Sequence, residues 1–285
     1  MKMPMRFRRR KLRPLAGPVG PRPEEFQAPV RRRRGMILLP NLFTTAALFA
    51  GFFATVQAMN QRFDWAAIAI FAAMVLDGMD GRVARLTNTQ TAFGAQYDSL
   101  SDMVSFGVAP ALVMYEWALR GLGNYGWAGA FVYCGCAALR LARFNANLGV
   151  VDRRFFQGLP SPAAAALVAG FVWLAVDNKV QIQEVWLPWV ALTLTVYAGL
   201  TMVSSAPFYS GKSFHPGVSV PFSVMVAIVV AICVVSLNAP IVLFVLFCCY
   251  AVSGYVYWGW RRWRGEANPA RPAPRAGPAE SAPPH

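Results

Sequence analysis

The sequence predicts an all-α polytopic membrane protein with about eight transmembrane helices and both termini in the cytoplasm. The chain of 285 residues is 56% hydrophobic, yet its formal net charge is +14. Twelve Lys and Arg residues against two Glu lie in residues 1–36, and five against two acidic residues lie in 261–285, whereas residues 37–260 are nearly neutral. This separation is typical of an integral membrane protein with basic flanks and not of a nucleic-acid-binding protein.

The two flanks are predicted to be disordered. Residues 1–36 contain uninterrupted arginine runs at 8–10 and 31–34 and no long apolar stretch. They indicate a basic arm that contacts anionic lipid, at roughly 1 kcal/mol per basic residue near the surface. Residues 261–285 are rich in Pro and Ala and predict a disordered tail. The intervening residues 37–260 form the predicted transmembrane domain.

The apolar stretches are long enough to cross a bilayer. The predicted spans are residues 37–59, 64–86, 92–117, 124–148, 160–177, 185–204, 218–237 and 239–260. With the N-terminus inside, the outer loops contain only Arg62, Arg120 and Lys179, so almost all basic residues lie on the cytoplasmic side.

The cysteine and histidine pattern excludes several chemistries. All five cysteines lie in apolar stretches without a C-x-x-C spacing, which favours buried free thiols. His215 and His285 are the only histidines, and His285 lies in the Pro-rich tail. A histidine-based metal site or a Ser/His/Asp triad is therefore excluded.

Four carboxylates lie where the sequence predicts hydrocarbon. Asp77 and Asp80 belong to the second span, and Asp98 and Asp102 belong to the third. Each would cost several kcal/mol if it were left bare in a bilayer. The polar turn over residues 87–91 predicts a helical hairpin, and the spacings i, i+3 and i, i+4 place each pair on one face. We expect the two pairs to face each other.

Carboxylates without histidine or cysteine are typical ligands of hard divalent cations, Mg²⁺ or Mn²⁺. Four negative charges balance two dications and remove the penalty for burial. Two such ions near Arg85 form a receptor for a diphosphate and support in-line displacement. Gly81 and Gly94 leave space for a ligand close to the backbone, although glycines also serve helix packing in membranes.

Residues 77–102 contain D-x-x-D-G-x-x-A-R, eight further residues, and G-x-x-x-D-x-x-x-D. This pattern resembles the signature of the CDP-alcohol phosphatidyltransferase family at every fixed position. Residues 40–44 (PNLFT), 140–145 (RLARFN) and 156–162 (FQGLPSP) are similar to the bacterial integral-membrane branch that uses serine as acceptor. The resemblance covers about residues 37–215. It implies a homodimer in a bacterial inner membrane with its active site facing the cytoplasm.

The resemblance also implies a reaction: the hydroxyl of L-serine attacks the phosphorus of CDP-diacylglycerol that bears the diacylglycerol, and CMP leaves. By this resemblance Asp77, Asp80 and Asp98 are metal ligands, and Asp102 is both a metal ligand and the general base. A carboxylate beside dications stays ionised, which suits Asp102 as the base.

Further binding residues follow from the same resemblance. The residues implied for CDP-diacylglycerol are Asn41, Thr44, Gly81, Arg85 and Gly94. Arg140 and Arg143 are candidates for pairing with the carboxylate of serine. Arginines at a cytoplasmic helix end also serve topology alone, which is the alternative for both.

Two other functions are compatible with the acidic quartet. The acceptor could be glycerol 3-phosphate, inositol phosphate or another alcohol, although a phosphorylated acceptor would favour more basic residues in the site. A cation transporter could also use intramembrane acids. A transporter predicts inverted symmetry between the two halves of the chain, whereas the quartet is confined to one hairpin.

Overall fold

Helices account for most of the described chain, which comprises residues 34–87, 91–146, 155–180, 185–209 and 222–265 of a computed structural model. Within these residues the α-helices are α1 (Arg34–Met59), α2 (Phe63–Leu86), α3 (Ala92–Asp102), α4 (Ala109–Met114), α5 (Asn124–Ala146), α6 (Ser161–Asp177), α7 (Leu187–Val203), α8 (Phe222–Leu237) and α9 (Ala239–Trp263). The prediction of a predominantly helical protein is confirmed.

Helix positions follow the predicted apolar stretches, with differences at the two flanks. α1 begins three residues before the predicted boundary at 37, and α9 ends at Trp263, inside the predicted tail. Aromatic and arginine side chains four residues apart near the end of α9 stabilise its last turns. Residues 1–33 and 266–285 of the two predicted flanks lie outside the described residues.

Two helical segments have the length and apolar composition of a membrane span, Asn41–Met59 and Ala239–Trp263. Three further apolar helices are shorter: Ser161–Asp177, Leu187–Val203 and Val224–Leu237. An α-helix needs about 20 apolar residues to cross the hydrocarbon core. These segments are consistent with a membrane protein, and the eight-span topology stays a prediction.

The third helical segment, residues 92–122, departs from regular α-helix after Asp102. A π-helical stretch (Met103–Val108) precedes α4, and a second one (Tyr115–Leu119) and a 3₁₀ turn (Arg120–Leu122) follow it. Pro110 has no N–H, so the carbonyl of Phe106 receives no regular helical bond from position 110. The buried Tyr133 hydroxyl of α5 donates to that carbonyl instead, at 3.0 Å.

α6 lies among α2, α7 and α9. Eleven of its 17 residues are buried, and most of them are alanines, which allow close helix approach. Aromatic rings complete the contact: Trp173 packs on Phe71 of α2 at 5.8 Å between ring centroids, and Phe171 packs on Phe244 of α9 at 5.7 Å.

A short antiparallel ribbon joins two interhelical connections. Its strands are β1 (Phe155–Gln157) and β2 (Pro207–Tyr209). The buried Phe208 of β2 packs against Tyr250 and Tyr255 of α9. The sequence analysis predicts no strand, because three residues are too few to show an alternating pattern.

The hydrogen bond between Tyr133 and Phe106 predicts a stability effect. Tyr133→Phe leaves a buried carbonyl without its donor, at a cost of about 1–3 kcal/mol. Thermal unfolding of the purified chain in detergent, followed by fluorescence, should therefore shift down by roughly 2–10 °C. Tyr125→Phe is the matched control, since Tyr125 is exposed. Equal unfolding midpoints for the two variants would contradict the assignment.

Candidate functional site

Three carboxylates from α2 and α3 converge. Oxygen atoms of Asp77, Asp98 and Asp102 all lie within 4.8 Å of one another. The spacing i, i+4 places Asp98 and Asp102 on the face of α3 that meets Asp77. The structure thus brings together three members of the predicted quartet.

The fourth carboxylate, Asp80, is buried against α1. Its Oδ2 accepts a hydrogen bond of 2.8 Å from the Thr44 hydroxyl. Asp80 also interacts electrostatically with Asp77 and Asp98. In the structure the Thr44 hydroxyl hydrogen orients Asp80. The predicted contact of Thr44 with CDP-diacylglycerol stays a prediction.

Two serine hydroxyls hold the third helical segment against α1. Ser101 donates to the carbonyl of Thr44 at 3.1 Å, and Ser105 donates to that of Ala47 at 3.0 Å. Gly51 permits the close approach, since a Cβ at this position would lie 2.6 Å from the Cα of Ser105. These contacts determine where the carboxylates next to Ser101 lie relative to α1.

The carboxylates fit a divalent cation. Asp98 Oδ1 is buried and has no hydrogen-bond partner among the described residues. Among the described residues, none of the four carboxylates lies at salt-bridge distance from Lys or Arg. The ion pair in this part of the chain joins Arg120 to Glu116. Clustered carboxylate oxygens with no cationic partner are the donor set that Mg²⁺ or Mn²⁺ prefers.

The face of α2 beside Asp77 and Asp80 is open. A Cβ at Gly81 would have only Arg85 Nη1 within 4 Å, at 3.9 Å, and a Cβ at Gly78 would have no atom that close. Arg85 is exposed and forms no ion pair in the described part of the chain. A phosphate group could therefore approach this face and pair with the guanidinium.

The start of α3 forms the opposite side of the site. Thr91 caps the helix, because its Oγ1 accepts a hydrogen bond from the Gly94 amide at 3.0 Å. Asn41 Oδ1 of α1 lies 3.4 Å from the position that a Gly94 Cβ would take. The structure thus places the predicted ligands Asn41 and Gly94 side by side, with Gly81 and Arg85 on α2.

A buried guanidinium lies near the carboxylates. Arg140 of α5 is only 9% exposed, and its Nη1 donates to the hydroxyl of Ser161, the first residue of α6, at 2.8 Å. Its Nε is buried and has no partner among the described residues. Asp102 attracts it electrostatically. An anion bound beside Asp102 would satisfy the unused donor.

Arg143 lies one turn further along α5 and has a different set of partners. Its Nη1 donates to the carbonyl of Val203 at 2.9 Å, and its Nη2 donates to that of Gln157 at 3.0 Å. Longer bonds reach the carbonyls of Met202 and Ser204. Arg143 therefore ties α5 to β1 and to the end of α7, and its predicted contact with an acceptor stays a prediction.

Sequence reasoning missed the small hydroxyl residues around the site. Besides the bonds of Ser101 and Ser105, Asn145 Nδ2 of α5 donates to Ser99 Oγ of α3 at 3.1 Å. Ser101 and Ser105 are two small residues four positions apart, a spacing that is typical of close helix packing. This spacing could have predicted their contact with α1. The link between Ser99 and Asn145 joins distant parts of the chain and leaves no local signal.

Comparisons with known proteins identify similar sequences. A family model described as CDP-alcohol phosphatidyltransferase matches residues 37–197. A CDP-diacylglycerol–serine O-phosphatidyltransferase of Helicobacter pylori is 40% identical over 177 residues, which cover 62% of this chain and 74% of the relative. Proteins of the same name from Mycobacterium tuberculosis (37% identical, 71% of this chain and 72% of the relative) and Methanocaldococcus jannaschii (35%, 66% and 81%) are also similar.

The acidic cluster predicts a measurable metal affinity. Asp98→Asn removes the negative charge and replaces one carboxylate oxygen by an NH₂ group, so Mn²⁺ should bind at least about tenfold more weakly, the loss that even outer-shell changes cause. Titration of the full chain in detergent, monitored by electron paramagnetic resonance, measures this. Asp64→Asn, in the first turn of α2, is the control and should bind normally. Unchanged affinity in Asp98→Asn would contradict the site.

Proposed function

Because this chain belongs to the CDP-alcohol phosphatidyltransferase family, we propose that it transfers the phosphatidyl group of CDP-diacylglycerol to the hydroxyl of L-serine, which gives phosphatidylserine and CMP. Similar proteins from three organisms are named as serine O-phosphatidyltransferases. The observation that carries the proposal is the buried Arg140 with an unused donor beside the carboxylate cluster. It suits a small acceptor with one carboxylate.

The number of available guanidinium groups favours serine over a phosphorylated acceptor. In the described part of the site, both terminal nitrogens of Arg143 donate hydrogen bonds to backbone carbonyls. Among the residues that the structure describes, Arg140 is therefore the buried cation that we assign to the acceptor. A single guanidinium, whose Nε has no partner among the described residues, matches a monoanion, whereas a phosphate dianion is usually bound by several basic groups. Glycerol 3-phosphate and inositol phosphate are correspondingly less suitable.

The metal ligands in this proposal are Asp77, Asp80, Asp98 and Asp102, whose four charges would balance two Mg²⁺ or Mn²⁺ ions. Such ions, when bound, neutralise diphosphate charge and stabilise an in-line displacement. Thr44 acts through Asp80, because its hydroxyl hydrogen bond restricts that carboxylate. Thr44 is thus a positioning residue.

Asp102 is the proposed general base. It is clustered with Asp77 and Asp98 and interacts electrostatically with Arg140, so an acceptor held on Arg140 would bring its hydroxyl toward Asp102. Asp102 takes the hydroxyl proton as the serine oxygen bonds to the phosphorus that carries diacylglycerol. The bond from that phosphorus to the bridging oxygen breaks, and CMP leaves with this oxygen.

The donor substrate would bind across the ends of α2 and α3. Arg85 pairs with the diphosphate, and the glycine at 81 leaves room beside it. Asn41 and Gly94 line the nucleotide on the opposite side. These residues flank the carboxylates, so the reacting phosphorus would lie between Arg85 and Asp102.

We also propose that the chain is an eight-span bacterial inner-membrane protein with cytoplasmic termini. The five apolar helical segments and the concentration of basic residues on one side support this topology. Arg85 and Arg140 lie at the helix ends assigned to that side, so the active site faces the cytoplasm. The resemblance to the family supports a homodimer.

Release of CMP tests the acceptor. Membranes containing the full chain, supplied with CDP-diacylglycerol and Mn²⁺ or Mg²⁺, should release CMP with L-serine and not with glycerol 3-phosphate or inositol phosphate. Asp102→Asn should lower the rate by at least about 100-fold, the lower end of general-base contributions, while CDP-diacylglycerol still binds. Release with glycerol 3-phosphate alone would refute the serine assignment, and full activity of Asp102→Asn would remove it as the base.

Arg140 and Arg143 should respond differently to the same substitution. Arg140→Lys keeps the charge but loses the planar donor set, so KM for serine should rise about tenfold or more. Its KM for CDP-diacylglycerol should stay nearly constant. Arg143→Lys should lower the thermal unfolding midpoint, because backbone carbonyls lose donors, with little change in KM for serine. The reverse pattern would assign the acceptor contact to Arg143.

A further inference from the structure

An apolar groove runs along the exposed face of α9, away from the carboxylate cluster. Its volume is about 630 Å³, and its lining residues are Cys248, Cys249, Val252, Ser253, Val256, Tyr257 and Trp260. They recur at three- and four-residue spacing and so form one stripe on the helix. A groove of this volume lies within the range of lipid- and drug-sized ligand sites.

Arginines lie over the aromatic rings at one end of this groove. The guanidinium of Arg264 stacks on Trp260, with 3.9 Å from its Cζ to the ring centroid, and that of Arg261 lies 5.7 Å from the ring of Tyr257. Both rings line the groove. Each arginine therefore points back along the helix toward the apolar stripe, so the guanidinium groups are adjacent to its end.

A second apolar groove lies along α7. Its lining residues are Val185, Trp186, Trp189, Val190, Thr193, Leu194 and Tyr197, none of which is charged. The α9 groove has an uncharged lining of its own and, in addition, the guanidinium groups of Arg264 and Arg261 at one end. Arg264 makes no ion pair with an acidic residue in the described part of the chain.

We propose that this face of α9 binds an anionic phospholipid of the surrounding bilayer. An acyl chain occupies the groove between Cys249 and Trp260, and the lipid phosphate pairs with the guanidinium group of Arg264, beside that of Arg261. Charge complementarity selects this occupant, because a zwitterionic lipid would bring a cationic group next to the same arginines. The site is separate from the carboxylate cluster and holds its lipid without transferring it.

Native mass spectrometry of the full chain in detergent tests this site. The probes are phosphatidylglycerol and phosphatidylcholine with identical acyl chains, without serine or CDP-diacylglycerol, so failure here is independent of the catalytic proposal. The unaltered chain should bind phosphatidylglycerol about tenfold more tightly than phosphatidylcholine. Arg264→Gln should reduce phosphatidylglycerol affinity about fivefold, the effect of one basic residue near a lipid surface.

Arg262→Gln is the matched control. It removes the same charge two residues away, but Arg262 stacks on Trp258, which does not line the groove. This variant should bind phosphatidylglycerol normally. Equal losses in Arg262→Gln and Arg264→Gln would overturn the proposal in favour of diffuse attraction to charge.

The apolar part of the site needs its own variant. Val252 is exposed in the middle of the groove, so Val252→Trp should fill it and release phosphatidylglycerol while turnover is retained, which shows that the chain is folded. An unchanged thermal unfolding midpoint of Val252→Trp shows folding independently of turnover. If Val252→Trp binds phosphatidylglycerol like the unaltered chain, the groove does not hold the lipid. Absence of any preference for phosphatidylglycerol over phosphatidylcholine would likewise overturn the proposal.

Discussion

Electrostatic repulsion and desolvation among the carboxylates of α2 and α3 shape the surrounding structure. Oxygens of Asp77, Asp98 and Asp102 meet within 4.8 Å, although bare carboxylates in apolar surroundings cost several kcal/mol each. The neighbouring groups reduce this cost in part: Thr44 donates to Asp80, and Arg140 attracts Asp102. A buried oxygen of the cluster, Asp98 Oδ1, still has no hydrogen-bond partner in the described chain. A divalent cation could bind this oxygen and reduce the repulsion among the carboxylates.

Close helix packing holds the cluster in place. Hydroxyl-to-carbonyl bonds from Ser101 and Ser105, together with the absence of a side chain at Gly51, bring the third helical segment against α1. Regular α-helix ends directly after the last carboxylate, where π-helical geometry begins ahead of Pro110. The carbonyl of Phe106, which cannot accept a bond from position 110, accepts one from Tyr133 of α5. The backbone irregularity thus also links the third segment to the helix that carries the site's arginines.

Identical side chains serve different purposes according to their surroundings. Arg143 donates its hydrogen bonds to carbonyls at the ends of β1 and α7. Arg140, one turn earlier, has an Nε without a partner in the described chain. Arg264 stacks on an aromatic ring at the exposed end of α9. A guanidinium is planar, always charged and rich in donors, so partner geometry decides whether it ties segments together, binds an acceptor or attracts lipid phosphate.

The sequence by itself determined the helical class and the approximate helix positions, because apolar stretches of about 20 residues are a local property. It also predicted the acidic hairpin, since Asp98 and Asp102 follow α2 after one short turn and their spacing places them on one face. Only the tertiary structure decided that Thr44 orients Asp80, and that Arg140 and Arg143 have different partners. These contacts join residues far apart in the chain, so they depend on how the helices pack and leave no local pattern.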